Sequence, residues 1–166
     1  MEYILFESNT GFTRRYAEML SAKTGLPAMP LAEAERELKK GTEVFFLGWV
    51  CAGKISGLKP AAKRFSVRGA AAVGASPLTS ESIAELERNN KLAPSALPLF
   101  YLRGGVKPEA LTSIKRRLLG MLANAMESAV PQNEENWETL DAMRMGGDFV
   151  SETYLAPVLA WFQEQE

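Results

Sequence analysis

The chain reads as an α/β fold in which parallel strands are joined by crossover helices that cover both faces of the sheet. Three observations lead there. Short apolar runs bounded by turn residues alternate with longer stretches of helical spacing, which is the pattern of βαβ units. At 166 residues with 46% apolar composition, the chain has the size and content of one domain able to bury its own core, so residues 1–166 are read as one unit. No repeat, low-complexity tract or linker divides it.

Five strands follow from the apolar runs: "EYILFE" (2 to 7), "PAMPL" (27 to 31), "EVFFLG" (43 to 48), "AAAVGA" (70 to 75) and "LPLFYL" (97 to 102). Helices are expected near 12–24, 32–40, 58–66 and 79–91, most of them closed by Gly, Pro or Asn. Right-handed crossovers then follow from the connection rule. From about 108 to 127, Leu111, Ile114, Leu118, Leu122 and Ala125 recur at helical spacing, with Arg116 and Arg117 on the other side. That stripe is expected to pack on the sheet. "SAVPQNEENW" (128 to 137) reads as a loop, with a short helix through "WETLDAMR". Ser151 caps a closing helix whose apolar face is Leu155, Val158, Leu159 and Phe162.

Composition excludes several function classes. Nineteen basic and twenty acidic residues leave a formal charge of −1, so no long-range field recruits nucleic acid. Without histidine, and with Cys51 as the lone cysteine, the chain lacks Ser-His catalysis, a cysteine metal cluster and an internal disulfide. No metal site and no catalytic side chain are expected. "MEYILFES" has no basic leader, and no run reaches the ~20 apolar residues of a spanning helix. The expected setting is cytoplasmic.

Ligands of open parallel sheets bind at the carboxyl ends of strands where the chain order reverses. The first such end is "ESNTGFTRR". Ser8, Asn9, Thr10 and Thr13 supply polar side chains, Gly11 permits an unusual turn, and a helix begins at once. Free N–H groups at a helix N-terminus hold phosphate through hydrogen bonds and the helix dipole. Arg14 and Arg15 oppose that dipole unless an anion sits nearby or Arg14 pairs with Glu18.

The stretch Ser8, Thr10, Gly11, Thr13 meets the pattern [ST]-x-T-G-x-T and resembles the phosphate loop of flavodoxins. The resemblance implies a flavodoxin-like three-layer sandwich with a five-stranded parallel sheet in the order 2-1-3-4-5. It also implies FMN, its phosphate on Ser8, Asn9, Thr10, Gly11, Phe12 and Thr13. "GWVCAGKIS" (48 to 56) spells part of a nucleotide P-loop, but the hydroxyl that holds magnesium is replaced by Ile55. In flavodoxins the corresponding loop lies along the flavin ring, which assigns Gly48, Trp49, Val50, Cys51, Ala52 and Gly53 to the ring, with Gly48, Gly53 and Gly57 giving it room. Trp49 is a candidate stacking partner or a core residue, and Cys51 is read as a buried or semi-buried, inert thiol. The fourth-strand loop, with Ala75 and Ser76, supplies the opposite wall and lacks the tyrosine often found there.

"LPLFYLRGGVKPEALTSIKRRLLGMLANAM" and "GGDFVSETYLAPVLAWF" resemble, loosely, the menaquinone-dependent protoporphyrinogen oxidase branch of that family. Arg103, Gly104 and Gly105 are candidates for an entrance to the site or for a plain turn. The expected function is electron transfer by bound FMN, as a carrier or as a small reductase or oxidase. The expected partner is a redox protein or a quinone-like molecule, with peripheral membrane contact possible. The alternative is a non-redox module that uses the same pocket for another phosphate ligand or a protein.

Overall fold

The computed structural model describes residues 1–129, 131 and 133–165. In chain order, the first half comprises β1 (Tyr3–Glu7), α1 (Phe12–Thr24), β2 (Ala28–Pro30), α2 (Leu31–Glu37), β3 (Glu43–Cys51), β4 (Lys54–Ile55), α3 (Leu58–Arg64), β5 (Ser66–Gly74) and α4 (Ser82–Asn89). There follow β6 (Leu99–Arg103), β7 (Gly105–Val106), α5 (Ser113–Ala129), α6 (Glu134–Met145), β8 (Gly147–Asp148) and α7 (Ala156–Gln163), with 3-10 turns at Pro108–Ala110 and Glu152–Leu155.

The sheet alternates sides residue by residue, as strand geometry requires. Ile4, Phe6, Phe45, Leu47, Ala71, Val73 and Leu102 share a core with Tyr16, Ala17 and Leu20 of α1 and Val158 of α7. Leu5, Val44, Phe46, Ala70 and Ala72 share the other with Leu31 and Ala34 of α2, Leu58 and Ala61 of α3 and Leu86 of α4. Helices therefore lie on both faces of a mostly parallel sheet, a three-layer α/β sandwich. Three alanines, Ala70 to Ala72, are fully buried at the centre of β5. Their small volume leaves room for Phe45 and Phe46 on the neighbouring strand.

The main path is β2-β1-β3-β5-β6, and the sheet has six strands where five were expected. The sixth is β4, which folds back on β3 with Val50 opposite Ile55 and Cys51 opposite Lys54. It exists because Ala52 and Gly53 both take positive φ, 48° and 73°, the backbone of a two-residue hairpin turn whose twist suits the strands it joins. β5 starts at Ser66, earlier than the apolar run suggests, because Ser66 and Val67 pair with Glu43 and Val44 before an irregularity ejects Arg68.

The helical stripe after β6 does not pack on the sheet. Ile114 is 83% exposed, and Leu118 and Leu122 are half exposed. Both faces are already covered by α1 with α7 and by α2, α3 and α4. α5 turns its opposite side inward instead, burying Ala123. Arg116 there donates from Nε to the Pro108 carbonyl at 2.9 Å and from a terminal nitrogen to those of Glu109 and Leu111. With these bonds made, Arg116 still remains exposed, as does Arg117, which is what the sequence leads one to expect of both. Of the expected loop at 128–137, Val130 and Gln132 lie outside the described residues, and α6 already begins at Glu134. It opens on Asn133, whose side chain accepts the Asn136 N–H at 2.9 Å. Ser151 caps the 3-10 turn that leads into α7, accepting the Thr153 N–H.

Candidate functional site

Three loops leave the same edge of the sheet from adjacent strands. Glu7 of β1 lies beside Gly48 of β3, and Trp49 of β3 beside Val73 of β5. With neighbouring strands about 4.8 Å apart, the bend 8–11, the β3–β4 hairpin and the loop after β5 start within about 10 Å of one another. The crossover from β1 to β2 runs to one side and the path through β3, β5 and β6 to the other. The bend after β1 therefore stands at the switch point, where such sheets bind ligands.

The bend ends at Gly11, which has φ 95° and ψ −14° and no side-chain cap. A Cβ there would meet no atom within 4 Å, so the space beside Gly11 is open. Ser8 Oγ accepts the Arg14 N–H at 3.3 Å, and the Arg15 N–H goes to the Gly11 carbonyl at 3.1 Å. Among the described residues, the amides of Asn9, Thr10, Gly11, Phe12 and Thr13 have no hydrogen-bond acceptor. The side chains of Asn9, Thr10 and Thr13 make no hydrogen bond among these residues either. Five donors without a protein acceptor thus gather at the positive end of a 13-residue helix, where an anion is favoured.

The other two loops meet in a cavity of about 140 Å³ lined by Val50 and Gly53 of the hairpin, Ser76 and Pro77, Leu86 of α4, and Tyr101. Its walls are tied from behind. Asn90 donates to the Gly53 and Leu86 carbonyls at 3.1 and 2.8 Å and accepts the Ile55 N–H at 2.9 Å, which fastens the hairpin to α4. Tyr101 donates to the Ser76 carbonyl at 2.7 Å, and Arg103 Nε to that of Ala75 at 3.3 Å. Burial pushes the Tyr101 hydroxyl well above its usual range, so it remains a donor. Of these three residues only Arg103 is singled out in the sequence, as a candidate for an entrance or a plain turn; Asn90 and Tyr101 are not. Asn90 reads there only as a helix stop.

The residues expected along a flat ring divide between two roles. Val50, Gly53 and Ser76 line the cavity. Trp49 is half-buried on the α1 side of the sheet, by alternation with Phe45 and Leu47. Gly48 is buried, and a Cβ there would press on Ile55 Cγ2 at 2.6 Å. At Gly57 it would press on Glu7 and Phe46, both at 2.9 Å. These two glycines admit the chain's own return rather than a ligand. Cys51 and Ala52 sit at the tip of the hairpin, and Cys51 is exposed, not buried. The cations after the bend have protein partners: Arg14 lies 3.9 Å from Glu18, and Arg15 pairs with Asp148. They therefore need no bound anion to account for them.

The first residue of α1 is set by the end of β6. The Phe12 ring packs against Gly105, where a Cβ would come within 2.6 Å of Cζ. Lys107 Nζ lies 5.0 Å from the same ring. Arg103 is 8% exposed, stacked at 3.9 Å on Phe149 and 3.4 Å from Glu138. It belongs to the interior of this corner, not to an entrance. Tyr16 of α1 donates to the Arg103 carbonyl at 2.5 Å and accepts the Ser151 N–H at 3.2 Å. Burial is the main cause that raises its hydroxyl to about 12. Burial also pushes the Asp148 carboxyl up, but hydrogen bonds from Arg15 and the Val150 N–H, with the charges of Arg15 and Lys107, outweigh it and hold the group below its usual range.

No family model, curated protein or solved structure matches the chain. No helix among the described residues is long and apolar enough to cross a membrane.

Proposed function

We propose that this chain is a flavodoxin-like protein that binds FMN without a covalent bond and passes electrons to a redox protein or a quinone-like molecule. The observation that carries the reading is the bend at the head of α1, where the amides of residues 9 to 13 have no acceptor among the described residues. A phosphate dianion satisfies several such donors at once and lies where the helix dipole favours it. Val50 and Gly53 of the hairpin and Ser76 of the loop after β5, which line the cavity, would flank the flavin ring.

When bound, FMN supplies the capacity to accept and release one or two electrons. The protein's part is to hold the phosphate by main-chain donors and to present the ring between two loops fixed by Asn90, Tyr101 and Arg103. The donor set has no lysine and no carboxylate, which suits a terminal phosphate retained whole rather than transferred.

The second reading, a non-redox module, draws on the same crevice. The cavity of about 140 Å³ is smaller than the roughly 300–1,000 Å³ of most small-molecule sites, so a ring must lie partly outside it. A titration separates the two. Added FMN should lose fluorescence and shift its visible bands in proportion to protein, and riboflavin, which lacks the phosphate, should bind far more weakly. Fluorescence that is unchanged at excess protein would overturn the FMN reading, and equal binding of riboflavin would overturn the role given to the bend.

A further inference from the structure

Independently of the ligand, we propose that the exposed face of α5 pairs with the same face of a second copy of the chain, the two helices running antiparallel about a two-fold axis. Ile114, Leu118, Met121, Leu122, Ala125 and Ala129 fall on one stripe of α5 at spacings of three and four. The four large ones are 83, 55, 63 and 50% exposed. A run of exposed large apolar side chains on one helix face marks an association surface.

The order of residues along the stripe selects the occupant. A two-fold axis between Met121 and Leu122 sets Ile114 opposite the partner's Ala129, and Leu118 opposite the partner's Ala125. Met121 faces the partner's Leu122. Large side chains thus meet small ones at both ends, the condition for close packing of two helices. An isologous contact makes each such pairing twice.

Charge points the same way. The first turn of α5 holds Lys115, Arg116 and Arg117 and no acidic residue, the wrong sign for its own dipole. Arg116 is used within the fold. Lys115 and Arg117 are exposed, and neither forms an ion pair among the described residues. In the antiparallel pair they come beside the partner's Ser128 and Met126, at the negative end of that helix and near the exposed Glu134 and Glu135 that follow it. An anionic bilayer fits less well, because α6 exposes Glu134, Glu135, Glu138 and Asp141 close by.

Sedimentation velocity over a range of concentrations tests this on the full chain. The wild type should sediment with twice the mass of one chain, and Leu118→Glu should raise the dissociation constant at least about thirtyfold, the effect of losing a buried seam contact of about 2 kcal/mol. Its thermal midpoint as a monomer should not fall, since the side chain is exposed. Met121→Cys in a Cys51→Ser background should form an intermolecular disulfide on mild oxidation, because residue 121 sits next to the axis. A wild type that stays monomeric at the highest concentration, a Leu118→Glu variant that stays dimeric, or a monomer that binds anionic vesicles through this stripe would each overturn the proposal.

Discussion

Replacing Gly11 by alanine isolates what the bend contributes. At φ 95° an L residue is strained, yet a Cβ at this position meets no atom within 4 Å, so no clash adds to the backbone cost. That cost is about 1–2 kcal/mol, offset by about 0.4–1 kcal/mol from a stiffer unfolded chain. The net loss is roughly 0.5–1 kcal/mol, a fall of about 1–4 °C in Tm for a chain of this size. Gly25 is the matched control. It closes the other end of α1 at φ 73°, again with open space at the Cβ position. Gly25→Ala should therefore cost about the same stability. Only Gly11→Ala should weaken FMN, because relaxing the strain turns the neighbouring amides away from the phosphate. Losing one charge-assisted hydrogen bond of about 1.5–3 kcal/mol lowers affinity tenfold or more. Paired thermal melts and FMN fluorescence titrations on the two variants give the answer. If Gly25→Ala weakens FMN as much as Gly11→Ala does, the effect is a general loss of helix order and the reasoning about the bend is wrong.

Two further outcomes follow from particular side chains. The Tyr16 hydroxyl titrates at about 12 when folded against 10.0 as a free side chain. Its contribution is thus fully present below pH 10, and roughly 2–3 kcal/mol is lost between 10 and 12 as the unfolded chain ionises first. Denaturant unfolding across that range should show a decline that Tyr16→Phe makes shallower, the buried Tyr101 hydroxyl supplying the rest, and an equally steep decline in Tyr16→Phe would exclude this residue as a source. Ala52 holds φ 48° in the hairpin, a conformation that asparagine adopts more readily. Ala52→Asn should therefore raise stability by about 0.5–1 kcal/mol, read as a higher urea midpoint at unchanged m. A lower midpoint would mean that the turn is not the source of strain.

The sheet was legible because strand burial leaves a mark that depends on few alternatives. Runs such as "EYILFE" and "EVFFLG" are apolar on both sides of the pleat, and only a strand covered on both faces needs that. The bend was legible for a similar reason: a glycine among short polar residues, just ahead of a helical pattern, has few other uses. The hairpin was not. Its turn is Ala-Gly rather than Asn-Gly, and the lysine after it makes the stretch spell part of a nucleotide loop. The direction of α5 was hidden more deeply. Periodicity identifies which residues share a face but carries nothing about what that face meets, so Leu118 and Leu122 read like core residues. The deciding circumstance was a sheet already covered on both sides. Asn90 and Tyr101 stayed invisible as site residues, and Arg103 was read as an entrance or a turn rather than as a brace, because each acts on a backbone carbonyl of another loop. A carbonyl is present at every position, so such a contact leaves no complementary residue type in the sequence to pair with. The bend after the first strand is therefore announced by its own composition, while the side chains that brace the neighbouring loops become apparent only once the strands are laid side by side.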